Sequence, residues 1–329
     1  MPPRVVSLVP SATEIVCALG ASELLVGRSH ECDYPPLVAG VPVLTGQAIT
    51  STDPAEIDRQ VRDQLATASS LYRLDAEMLA RLRPDVILTQ DLCSVCSIDL
   101  DTVRSITQRW SSPPTILSLN PESIEDVLDH VLEVGRAIER PAKATSLVTS
   151  LRERMAAAAE FVNPFEDGPH VAFLEWTDPL YVGGHWIPQL IERAGGRHPL
   201  NPTTPVPGSG AAVGPQQAQR LAGKSIRVPE DILAAADPDG LIIAPCGVGL
   251  AHAWEMAGQL LARPAMAGIK AVRTGRVAVV DGNQMFSRPG PRLVDAFEWL
   301  VGWLQERPHL IPVTFPWRAL RPWTQTDSG

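Results

Sequence analysis

Residues 141–162 read PAKATSLVTSLRERMAAAAEFV, and the fold turns on how this stretch is understood. It predicts one long helix. Pro141 suits a first-turn position, where its missing N–H costs nothing. Leu147, Leu151, Met155, Ala158/Ala159 and Val162 recur at three- and four-residue steps and so share a face. The run Ala156 to Ala159 has the highest helix propensity of any residue type, and Asn163-Pro164 ends the helix. About 22 residues at 1.5 Å rise give roughly 33 Å, the width of a small domain. Such a helix is either an ordinary crossover in one large α/β domain or a spine joining two lobes, and its flanks decide between them.

Upstream, strand and helix alternate. Val5 to Val9 is a short buried strand, and the following helix closes at Gly20, with Ser11 and Glu14 spaced as a capping box. Further strands are expected at 24–27, 84–89 and 115–119. Downstream, Val171 to Leu174 is a strand, 178–185 a glycine-bearing loop, 186–194 a helix and 277–281 the last strand, before a closing helix over 291–304. One segment repeats at a fixed offset. Glu77-Met-Leu-Ala-Arg-Leu-Arg-Pro-Asp-Val-Ile-Leu and Asp231-Ile-Leu-Ala-Ala-Ala-Asp-Pro-Asp-Gly-Leu-Ile both run short helix, Pro-Asp, buried strand and a Cys-bearing loop. Alternation of this kind predicts parallel sheet. The reading is therefore an α/β protein of two Rossmann-like lobes with mostly parallel sheets: 1–140, the backbone helix 141–162, and 163–329.

Composition narrows the function. A chain of 329 residues exceeds what one core usually serves. The net charge is −9 with no Lys/Arg block, which argues against a nucleic-acid partner, and no apolar run reaches the ~18 residues that span a bilayer. The N-terminal run is broken by Pro10, Thr13 and Glu14 and makes a poor signal peptide, so the chain is expected in the cytoplasm unless its true start lies upstream; a monomer is expected. Five cysteines, an odd number, do not suggest a disulfide framework.

An ordered set of segments then points to a family: Ser7-Leu-Val-Pro-Ser-Ala-Thr-Glu-Ile15, Asp33-Tyr-Pro-Pro36, Arg83-Pro-Asp-Val-Ile87, Gly183-Gly-His-Trp186 before Ala194-Gly-Gly196, and Phe286-Ser-Arg-Pro-Gly-Pro-Arg-Leu293. The chain resembles the cobalamin-binding substrate-binding proteins of ABC importers, the class with a helical backbone. The resemblance implies two lobes on one long helix, a ligand in the cleft between them, a permease partner and no catalysis. It places Pro10, Tyr34, Tyr181 and Arg288 on corrinoid-contacting positions, and Glu77 and Asp231 on the two acids that dock on the permease. Gln47 and Gln90-Asp91 stand where pocket tryptophans occur in exported relatives.

The remaining reactive residues leave choices open. Parallel-sheet ligands sit at strand carboxyl ends, which adds Gln90, Trp176, His185 and Trp186 to the ligand-binding candidates. The two tryptophans either stack on a macrocycle or pack; His185 either ligates the chelated metal or caps a helix. His30, Cys32, Cys93 and Cys96 have the residue types and spacing of a tetrahedral zinc or iron site, or are small buried residues. The expectation is a non-enzymatic protein binding a corrinoid or related small-molecule metal chelate. The alternative is a cytoplasmic metalloprotein or thiol enzyme built on those four residues.

Overall fold

The computed structural model describes residues 1–47, 51, 53–67, 72–91, 100–206 and 220–321. Cys93, Cys96 and the glycine-rich 208–214 segment lie outside the described residues. The chain divides into two compact units: 1–121, 125–153 and 289–291 form the first, and 122–124, 154–288 and 292–329 the second.

In chain order the first unit contains β1 (Val5–Ser7), α1 (Pro10–Ala18), β2 (Leu25–Arg28), β3 (Thr45–Gln47), α2 (Pro54–Thr67) and β4 (Tyr72–Leu74), then α3 (Ala76–Leu82), β5 (Val86–Thr89), α4 (Leu100–Thr107), β6 (Thr115–Ser118) and α5 (Ile124–Ala137). Its main sheet runs β2-β1-β5-β6, every pair parallel. Val6, Leu8, Ile87, Leu79 and Val103 pack on one another as its core. A strand buried on both faces needs apolar residues at successive positions, and Val86 to Leu88 supply them.

The helix α6 (Pro141–Ala159) follows, and the division between units falls inside it, between Glu153 and Arg154. It ends three residues before the expected Val162. Its buried stripe is Ala144, Val148, Leu151, Met155, Ala158 and, just beyond the helix, Val162. Leu147, expected on this face, is only half-buried, because the stripe runs in steps of four and three from Ala144. Ala144 enters the stripe because it meets Gly135 of α5, where an added Cβ would lie 2.3 Å from the Ala144 Cβ.

The second unit contains β7 (Val171–Thr177), β8 (Leu180–Val182), α7 (Trp186–Arg193), β9 (Thr204–Pro205), β10 (Arg220–Leu221) and β11 (Ile226–Arg227), then α8 (Glu230–Ala236), β12 (Gly240–Ile243), α9 (Leu250–Leu261), α10 (Lys270–Thr274), β13 (Val277–Val280), α11 (Leu293–Leu304) and β14 (Trp317–Ala319). Its sheet has the order β11-β8-β7-β12-β13-β14. The centre, β7-β12-β13, is parallel, and β8, β11 and β14 pair antiparallel outside it. β8 occupies the stretch read as a glycine-bearing loop: Leu180 and Val182 point into the core, and Tyr181 points the other way. Three residues are too short for a period-two pattern to show beside Gly183-Gly184.

The repeated segment is real in three dimensions. α3 and α8 are each seven residues long and each closes on a left-handed non-glycine residue, Arg83 (φ 45) and Asp237 (φ 39). Each then delivers a four-residue buried strand with a parallel neighbour on both sides, β5 and β12. The capping box at Ser11 and Glu14 does not form. Val9 is the N-cap and Pro10 the first helical residue, because a proline without an N–H fits that position, and Ser11 and Glu14 turn inward.

Candidate functional site

In the first unit, parallel strands bring four carboxyl ends to one edge. Pro10 follows β1 and is buried at the start of α1. Gln90 follows β5 and is 5% exposed. The next backbone N–H, of Asp91, donates to Asn120 Oδ1 at 2.6 Å and ties this turn to the end of β6. After β2 the chain enters the loop that carries His30, Cys32 and Tyr34. Arg28 pins that loop from within: its Nη1 donates to the Cys32 carbonyl at 2.9 Å and its Nε to that of Val41 at 3.2 Å. Tyr34 precedes a cis proline and remains partly exposed.

His30 sits on Thr45, with Nδ1 2.7 Å from the Thr45 hydroxyl, which also accepts the His30 backbone N–H at 3.0 Å. Its ring lies 5.5 Å from that of Tyr72, whose hydroxyl donates to Glu31 at 2.9 Å. Burial lowers the His30 pKa, Glu31 opposes the shift and Arg28 adds to it, so the imidazole is neutral at pH 7. The Nε2 atom is buried and has no hydrogen-bond partner among the described residues.

Cys32 faces the other way. Its thiol is fully buried, 3.0 Å from the Thr13 hydroxyl, which is also 2.8 Å from Ser7 Oγ. It is a packed thiol held between α1 and β1. Among the described residues no group of three or more His, Cys, Asp or Glu side chains could hold a metal ion, and Cys93 and Cys96 lie outside them. The zinc or iron site expected from His30, Cys32, Cys93 and Cys96 thus gains no support. Loop spacing brought His30 and Cys32 close in sequence, but their ring and thiol are held by different partners.

In the second unit, β7 ends in Trp176 and Thr177, and the chain turns through Asp178-Pro179 into β8. Trp176 and Tyr181 are directly opposed across the β7–β8 pair. Opposed side chains share a sheet face with Cβ atoms about 5 Å apart, and both rings are half-buried. Trp176 Nε1 donates to the Asp178 carbonyl at 3.0 Å, which fixes the indole.

Gly183-Gly184-His185-Trp186 then leads into α7. Gly184 is obligatory: a Cβ there would meet the Ser225 nitrogen at 2.3 Å. His185 has φ 54, a strained value for a non-glycine residue, and its N–H donates to the Gly223 carbonyl at 2.9 Å. Its side chain makes no capping bond to α7. Burial lowers its pKa, and Lys224 adds to that shift against Glu122, so it too is a neutral imidazole. Trp186 is 6% exposed, and its Nε1 donates to the Phe286 carbonyl at 2.7 Å.

That bond holds the loop at the end of β13. Phe286 is itself strained at φ 66 and is wedged edge-on against Phe173 at 4.9 Å and Trp299 at 6.0 Å. The loop carries Arg288, which is 5% exposed, with Nη2 donating to Asn283 Oδ1 at 3.0 Å. Arg292 reaches back to Gln284 Oε1 at 2.8 Å. Thr45, Asn283 and the Thr13–Ser7 pair escaped notice in the sequence, because no spacing marks a hydroxyl or amide that orients a neighbour. Glu77 and Asp231, expected from the resemblance to dock on a permease, are exposed near the starts of α3 and α8.

The family described as periplasmic binding protein matches residues 5–283. The chain belongs to that family. Its members are solute-binding proteins rather than enzymes. A cobalamin-binding protein of Halobacterium salinarum is 24% identical over 302 residues, which covers 89% of this chain and 67% of the relative. An uncharacterised ABC transporter substrate-binding lipoprotein of Bacillus subtilis is 24% identical over 306 residues, 91% of this chain and 79% of the relative. Among solved structures, a periplasmic heme-binding protein from Pseudomonas aeruginosa superposes with a TM-score of 0.65 at 21% identity, covering 93% of this chain and 94% of that one. That likeness shows the fold.

Proposed function

We propose that this chain is a non-catalytic receptor for a planar tetrapyrrole-type metal chelate, with a corrinoid as the preferred ligand, and that it hands the chelate to an ABC permease. The observation that carries the reading is the Trp176–Tyr181 pair at the carboxyl end of β7. Two aromatic faces side by side on one sheet surface, neither fully buried, offer a flat apolar platform with a polar rim. The neutral His185 imidazole is the candidate axial donor to the chelated metal, since only an unprotonated ring nitrogen can ligate. Arg288 braces the β13 loop through Asn283, and Pro10, Tyr34 and Gln90 are the ligand candidates of the first unit. The corrinoid is preferred because the H. salinarum relative that aligns over most of the chain is a cobalamin-binding protein. Glu77 and Asp231 are proposed as the permease contacts: both are exposed acids at matching places in the repeated segment.

The test is titration of the purified chain with cyanocobalamin and with haemin, followed by chelate absorbance, for wild type, Trp176→Ala and Tyr181→Ala. Each substitution should weaken the bound chelate about fivefold or more, as loss of a stacking surface worth roughly 1–3 kcal/mol requires. Unchanged affinity in both variants would refute the platform.

A further inference from the structure

The platform extends one residue further than the aromatic pair. β11 runs antiparallel beside β8, and Arg227 stands directly opposite Tyr181. Trp176, Tyr181 and Arg227 are therefore consecutive members of one cross-strand row on adjacent strands β7, β8 and β11. Directly opposed residues put their side chains on the same face at about 5 Å intervals, so the row spans roughly 10 Å, aromatic, aromatic, cation. The opposite face of the same strands is apolar core, with Leu174, Leu180 and Val182 in it, which leaves this row on the outer side.

Arg227 is exposed, and its side chain makes no hydrogen bond or ion pair among the described residues. The nearest competitors are taken. Arg263 spans Asp178 at 2.8 Å and Glu230 at 2.6 Å, so those two carboxylates already have their guanidinium. A guanidinium stays charged at any physiological pH and presents a planar fork of donors, which suits a carboxylate or a phosphate.

We infer that Arg227 is a specificity-determining residue that grips an anionic substituent, carboxylate or phosphate, at the edge of a flat chelate stacked on Trp176 and Tyr181. The inference rests on the receptor reading above and deepens it from a ring shape to a ring with a negatively charged arm. A neutral ring of the same shape would use the two aromatic faces and leave Arg227 idle.

Two pairs of probes separate the sources of the anion. Haemin carries propionate carboxylates and its dimethyl ester does not; cyanocobalamin carries a nucleotide phosphate and dicyanocobinamide does not. Each is titrated against wild type, Arg227→Gln and Arg227→Lys, with circular dichroism to confirm folding. In the pair that binds, Arg227→Gln should weaken the anionic member about tenfold or more and leave the neutral member within about twofold, while Arg227→Lys retains most of the affinity. Wild-type affinity for the anionic member should also fall more steeply with salt than that for the neutral one. Equal losses for both members, or none for either, overturn the role of Arg227 while wild-type binding keeps the receptor reading intact. If wild type binds none of the four, the receptor reading fails and this inference falls with it.

Discussion

At the scale of single residues, histidines report their surroundings most directly. His198 is almost fully buried, and its two ring nitrogens face backbone N–H groups, Phe173 N at 3.3 Å and Asn201 N at 3.2 Å. Burial pushes its pKa down to about 4. A histidine whose folded pKa lies below its unfolded value of about 6.5 binds fewer protons when folded. Its contribution is therefore present above pH 6.5 and is lost as pH falls toward 4, a change on the order of 3 kcal/mol. Urea denaturation between pH 7 and 4 should show this loss, and the slope should flatten in His198→Gln. Trp186 gives a second prediction. Trp186→Phe leaves the buried Phe286 carbonyl without its 2.7 Å donor, at a cost of about 1–3 kcal/mol. Because that loop carries Arg288, chelate affinity should fall with stability. Trp176 was readable as a residue type at the end of a parallel strand, whereas Tyr181, inside the antiparallel β8, was suggested only by the family resemblance. What escaped was orientation. Cys32 and His30 are two residues apart, yet Thr13 holds one and Thr45 the other. Arg227 became visible only once the register of β8 and β11 put it opposite Tyr181.

At the scale of elements, α6 is the test piece. Its propensity and periodicity made it visible in the sequence, and the helix is there from Pro141 to Ala159. Its buried face is one step away from the expected one, with Val148 in place of Leu147, although leucine is the larger apolar side chain. The close approach at Gly135 instead selects the small Ala144 and fixes the phase of the stripe. Gly135→Ala should thus destabilise by about 1–3 kcal/mol through overpacking, measured by thermal melting. Further along, Arg154 donates through Nε to Glu298 at 2.9 Å and through Nη2 to Asp295 at 2.5 Å, linking α6 to α11 within the second unit. Arg154→Leu strands two acids, and since Arg154 is 39% exposed the cost should be about 1–2 kcal/mol rather than that of a fully buried pair. The short antiparallel strands β8 and β11 were the hidden elements. Three and two residues cannot display a period, so only pairing partners reveal them.

At the scale of the whole molecule, the duplicated segment, the family match over residues 5–283 and the platform of the second unit all favour a receptor. The repeat was legible because α3 and α8 keep the same length, the same left-handed closing residue and the same buried strand at a constant offset. Their exposed acids carry a prediction of their own. Glu77→Lys with Asp231→Lys should leave chelate affinity unchanged and abolish uptake of labelled chelate by cells that depend on this receptor. Loss of affinity in the purified double variant would place these acids in the binding site and not at a permease. The most direct test of the central claim is an absorbance titration of the purified, folded wild-type chain with cyanocobalamin, with haemin in parallel. The account predicts saturation at one equivalent with a Kd of about 1 μM or tighter, about −8 kcal/mol, for the corrinoid or, failing it, for haemin. A folded chain that leaves both spectra unchanged would contradict it.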